Sequence, residues 1–108
     1  MVFSASDSAV SGPGGYALCP ASATTHLGQH EGAVGNYLDY LLVVVSDPAT
    51  AAVTIQDGAD MDPWPVFPNN PGGGVGSYPV PIGATSRNGP WIVTTGAGAV
   101  VLASGAFS

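Results

Sequence analysis

The run Asn36-Tyr37-Leu38-Asp39-Tyr40-Leu41-Leu42-Val43-Val44-Val45 is the densest stretch of apolar, aromatic and β-branched side chains in the chain, and Ser46-Asp47-Pro48 stops it at once. A membrane-spanning helix needs about 20 apolar residues, so this run reads instead as the central strand of an all-β domain. Alternate residues of a strand face opposite sides. Here Tyr37, Asp39, Leu41, Val43 and Val45 share one side, and Leu38, Tyr40, Leu42 and Val44 the other. Neither side is polar beyond Asp39, which calls for cover on both. A two-sheet sandwich covers only one face of each sheet. The second cover must therefore be a loop, the N-terminal segment or another subunit, placed over Leu41, Val43 and Val45 or over Leu38, Tyr40 and Leu42.

A chain of 108 residues fits a single domain whose stability margin is modest unless a partner adds contacts. Charged residues make up only 7% of it, against about 25% in typical globular proteins. Arg87 is the sole basic side chain and the net charge is −6. Such a balance disfavours nucleic acid and anionic membrane surfaces as partners, because both need several Lys or Arg. It also suggests that much of the surface faces other protein, with a neutral Ser/Thr/Asn/Gln surface as the plain alternative. Met1 to Asp7 lacks a positive region followed by an apolar one, so no signal peptide is expected and synthesis in a cytoplasm is. Cys19 is alone and reads as a buried structural thiol.

Residues 1–15, ending in Gly12-Pro13-Gly14-Gly15, are small and Gly/Pro-punctuated. They read as an extended arm before a domain spanning 16–108, with Val2 and Phe3 as apolar tips that a neighbour's groove could take. Tyr16 to Cys19 is a short first strand. His26 and His30 share a face only on a helix, which Gly28 and Gly32 oppose, so they read as loop residues and not a metal pair. Ala51 to Gln56 alternates as a half-buried strand and ends at the turn Asp57-Gly58. Asp57, Asp60 and Asp62 miss the spacing of a calcium loop and read as a solvated acidic turn. Neither a metal nor a cofactor is expected.

Pro63-Trp64-Pro65-Val66-Phe67-Pro68 is a stiff segment with two large aromatics. In Tyr78-Pro79-Val80-Pro81-Ile82 both prolines fall on one backbone parity and remove donors from one edge. Pro63 and Pro65 do the same elsewhere, as edge strands require. Asn88-Gly89 reads as a hairpin turn, followed by strands Trp91–Thr95 and Gly98–Ala103 around Gly96-Ala97-Gly98. The total is seven or eight short strands at sandwich or barrel spacing. No nucleophile elbow, zinc motif, phosphate loop or dinucleotide fingerprint occurs, so an enzyme is not expected.

From Tyr37 onward, over roughly two-thirds of its length, the chain resembles a group of small virion proteins of tailed bacteriophages. The resemblance is carried by Tyr37–Val44, Val53-Thr54-Ile55-Gln56-Asp57-Gly58, Val66-Phe67-Pro68, Tyr78–Gly83 and Gly89–Ala97; the Pro-rich stretch from Pro63 to Pro71 departs from the pattern. It implies a jelly-roll-like antiparallel β-sandwich that acts as a capsid decoration, or cement, protein. Such a protein binds the outer capsid surface, commonly as a homotrimer, with the major capsid protein as partner, and stabilises the shell by bridging capsomers. On this reading Val2, Phe3, Leu41, Val43, Val45, Trp64 and Phe67 are the interface residues. Two alternatives stay open. A head-surface, fibre or tail module binding a host glycan would need Trp64, Phe67 or Trp91 as an exposed platform, and a passive β-domain of a tail or connector would sit in a ring.

Overall fold

The structure is a computed structural model and describes residues 12–27 and 35–107, of which 12–15 are described by their backbone alone. Among the described residues eight strands follow one another: β1 Gly12–Cys19, β2 Thr24–His26, β3 Tyr37–Val45, β4 Val53–Asp57, β5 Trp64–Phe67, β6 Gly76–Thr85, β7 Trp91–Thr95 and β8 Ala99–Phe107. One helical turn, Pro48–Thr50, lies between β3 and β4, started by Pro48 and capped by Asp47, whose carboxylate accepts from the Ala49 N–H at 3.1 Å. Among the described residues no helix is long and apolar enough to cross a membrane.

The strands build two four-stranded sheets, β1-β8-β3-β6 and β2-β7-β4-β5, with every neighbouring pair antiparallel. The pairs β1·β8, β2·β7, β3·β6 and β4·β5 trace one long hairpin with its tip between β4 and β5. Winding that hairpin over itself adds the contacts β8·β3 and β7·β4. This winding is the jelly roll, a β-sandwich made of two Greek keys. Its core lies between the sheets, built from Ala17, Leu38, Leu41, Val43, Val101 and Ala103 on one side and Val53, Ile55, Phe67, Trp91 and Val93 on the other.

The edge strands stand where the prolines put them. β6 and β5 each end their sheet, and the Phe67 and Tyr78 rings meet at 5.2 Å between centroids, so both proline-bearing edges lie on one side of the sandwich. Tyr78, Val80 and Ile82 turn inward onto the core while Pro79 and Pro81 stay exposed. At the opposite side β1 begins at Gly12. The boundary expected at residue 15 therefore falls inside a strand. Gly12 lies opposite Phe107 and Gly15 opposite Gly105, with a register shift between them that absorbs the Gly-Pro-Gly-Gly sequence. Val2 and Phe3 lie outside the described residues.

The expected Asn-Gly hairpin is not formed, because β6 and β7 belong to different sheets. Residues 86–90 instead turn the chain from one layer to the other. Gly96-Ala97-Gly98 makes a second such crossing beside the β3–β4 connection, and there the backbones interlock: Ser46 and Asp47 N–H groups donate to the Gly98 carbonyl at 2.8 and 3.2 Å, and Gly98 N–H donates to Thr50 at 2.9 Å. A Cβ on Gly98 would collide with the Asp47 carbonyl, which is backbone and cannot swing away. Replacing Gly98 with Ala is expected to lower unfolding stability by about 2–3 kcal/mol in urea titration. The same measurement on Ala97→Ser, at the exposed position beside it, should change little.

Candidate interaction surface

A register shift in β3 between Leu38 and Tyr40, seen against both of its neighbours, decides which side chains it shows. Strict alternation would place Tyr37, Asp39 and Leu41 together. The bulge inserts one residue, so Leu38, Leu41, Val43 and Val45 all enter the core while Tyr37, Asp39, Tyr40 and Val44 face out and Leu42 is half-buried. Leu41, Val43 and Val45 are at most 1% exposed. As interface residues they are corrected: they pack the interior of their own chain and no partner reaches them. Phe67 is likewise in the core. Trp91 is buried too, its indole N–H donating to the Asn36 carbonyl at 3.0 Å. Neither ring can be a glycan platform. Trp64 remains 54% exposed at the β5 edge.

What does face outward is a second apolar layer on the β1-β8-β3-β6 sheet. Read across the strands, Leu18, Leu102, Leu42 and Pro79 form one row, and Tyr16, Ser104, Tyr40 and Pro81 the next. Val100, Val44 and Ser77 form a third, and Ala106, Tyr37 and Thr85 a fourth. Tyr16, Leu18, Tyr37, Tyr40 and Val44 are each 40–53% exposed. Among the described residues Asp39, at the bulge, is the one charged side chain in these rows or beside them. The outer face of the other sheet is built from different residues. There Thr24, Thr94 and Thr54 line up opposite Pro65, the first two hydroxyls 3.3 Å apart, and His26, Ile92 and Gln56 form the next row. One outer face is thus aliphatic and phenolic, and the other is mostly hydroxyl and amide. Strand parity would have exposed this contrast in the sequence, had the bulge been visible there.

The acidic turn proves structural. Asp57 is buried, and its carboxylate accepts from the Arg87 and Asn88 N–H groups at 3.1 Å, with the Asn88 side-chain amide at 3.4 Å. This explains the failed hairpin: the carboxylate captures the Arg87-Asn88 backbone and bends it toward β4. Asp60 and Asp62 are exposed, and no group of three metal-ligating side chains forms among the described residues. His26 lies with Asp60, Asn88, Pro90 and Ile92 around a shallow cavity of about 260 Å³; His30 lies outside the described residues. No family model matches the chain, and neither the curated proteins nor the solved structures contain a match to it.

Cys19 is fully buried between the sheets. Burial pushes its thiol from 9.0 up to about 12, against a small opposing pull from the Thr25 hydroxyl. That hydroxyl is itself buried and makes no full hydrogen bond, so its contact with the sulfur is weak and burial dominates. Because the folded state favours the neutral thiol, its contribution to stability is whole below pH 9 and is lost as pH rises toward 12. Aromatic disulfide reagents at pH 8 are expected to leave folded protein unmodified and to label it on denaturation, and Cys19→Ala should flatten the alkaline loss of stability. Rapid labelling of native protein would contradict this burial.

Proposed function

We propose that the chain is an assembly module of a virus particle: a bacteriophage capsid decoration, or cement, protein that sits on the outer capsid surface and stabilises the shell by bridging capsomers. Its partners are the major capsid protein and other copies of itself. The observation that carries this reading is the contrast between the two outer faces. A sheet that shows Tyr16, Tyr37, Tyr40 and Val44 to solvent has the chemistry of a protein contact, where aromatic residues are enriched and charge is depleted. The threonine and glutamine face opposite it suits water. An acidic chain with one basic residue belongs on the outside of a shell and not against the genome. The role is bridging and not catalysis, and it calls for no cofactor.

A second reading is favoured by one observation. Trp64, exposed between the exposed Pro63 and Pro65, offers a rigid ring on which a host glycan could stack. A single exposed ring supports this less well than the wide apolar face supports a protein partner.

The test is to mix purified protein with undecorated capsids and count bound copies. Saturation at a fixed number per shell, with the decorated shells surviving higher temperature, is the expected result. Absence of binding, or recovery of the protein only with tails, would sink the reading.

A further inference from the structure

We infer that the outer face of the β1-β8-β3-β6 sheet is covered by the same face of a second copy of this chain, sheet upon sheet about a two-fold axis. The face presents Tyr16, Tyr40, Leu42, Val44 and Leu102 in adjoining rows. Such a surface has no reason to stay wet, since apolar area removed from water stabilises in proportion to its extent.

Its size points to the occupant. Tyr16, Leu18, Tyr37, Tyr40 and Val44, each 40–53% exposed, leave on the order of 500 Å² open to water, given that an aromatic residue can bury roughly 150–250 Å². Two copies together remove about 1,000 Å² from water, which is where specific interfaces begin. The charge pattern points the same way. A partner of opposite charge would be matched by acidic groups spread over the face, yet among the described residues Asp39 alone stands there, at one end beside the bulge. Packed about a two-fold axis that runs across the strands, the two Asp39 side chains lie at opposite ends of the contact. The face is also fairly even in chemistry: the hydroxyls of Ser104 and Ser77 and the phenols of Tyr16 and Tyr40 are the other polar groups in its three central rows. A face of chiefly apolar rows with neutral hydroxyls can pack against its own copy, and self-complementary surfaces close as pairs. The copy number argued by this face is therefore two, where the resemblance implies three.

Pairing would also complete the bridging role, and to that extent the inference rests on the reading above. With this face taken up by the pair, two copies of the remaining surface would meet the shell at a fixed spacing, and the second engagement is then intramolecular.

Sedimentation equilibrium of the full-length protein tests the pairing without any shell present. A dimer is expected at micromolar concentration, tightening as added salt screens the repulsion between two chains of charge −6. Leu42→Asp and the milder Tyr40→Ser should weaken it, the former by about 100-fold or more, as the loss of a central contact residue does. Both should keep the buried-tryptophan emission of Trp91, so that loss of pairing is separated from loss of folding. Thr94→Asp, on the opposite outer face, should pair like the parent. A parent chain that stays monomeric overturns the inference, as does a dimer or trimer that the outer-face variants leave intact. If the parent is monomeric but Leu42→Asp abolishes capsid binding, the shell itself covers the face; the pairing falls and the decoration reading stands. A dimer that ignores capsids gives the reverse result.

Discussion

Two stacked sheets bury one face of each, and in this protein the β1-β8-β3-β6 sheet is apolar on both. Everything distinctive about the molecule follows from that mismatch. The inner face is satisfied within the chain: Leu38, Leu41, Val43 and Val45 of β3 meet Val53, Ile55, Phe67 and Val93 across the sandwich. The outer face has no counterpart among the described residues. With so few charges in the sequence, solubility cannot be recovered by surrounding that face with lysines and glutamates, as a monomeric domain would do. On the proposal made above, the covering of the face belongs to assembly and not to folding.

The remaining polar chemistry is spent on holding the layers together, mostly through the backbone. At one end Asn36 joins four segments: its carbonyl accepts from the Trp91 indole and from Ser86 N–H, its side-chain amide donates to Leu27, and its own N–H donates to the Ser86 hydroxyl. Asp57 ties the neighbouring loop. At the other end the glycines of the β7–β8 crossing let Asp47, Thr50 and Ala52 approach closely enough to bond their backbones. These knots need no salt bridge, so a chain of 7% charged residues can fix its connections while leaving its faces neutral. Bonds between backbone groups are also insensitive to salt, unlike exposed ion pairs.

Much of this was legible in the sequence, and the parts that were not share a cause. Strand positions, the inward turn of Val53 and Ile55, and the two proline-blunted edges all follow from local period and from the missing donors of Pro65, Pro79 and Pro81. The surplus of apolar residues in β3 was equally plain. What period alone could not supply was the bulge after Leu38, which transfers Leu41, Val43 and Val45 from a candidate outer face to the core. Nor could Asp57 be separated from Asp60 and Asp62, because its partners are N–H groups 30 residues away. Asn88-Gly89 carried a strong local preference for a hairpin, and a long-range carboxylate overrode it. Each miss involves a contact between residues far apart in the chain, where local pattern carries no information.

The central claim is that one outer face is an interface and the other is a solvent surface. Hydroxyl-radical footprinting followed by mass spectrometry tests it most directly, because Tyr16, Tyr37 and Tyr40 on the sheet and Met61 and Trp64 away from it are all at least 40% exposed in the single chain. Protein labelled at high concentration should show the three tyrosines protected and Met61 and Trp64 reactive, with the tyrosines recovering full reactivity on dilution. Tyrosines that react equally at every concentration, and equally in decorated particles, would show that the apolar face is never covered and would contradict the account.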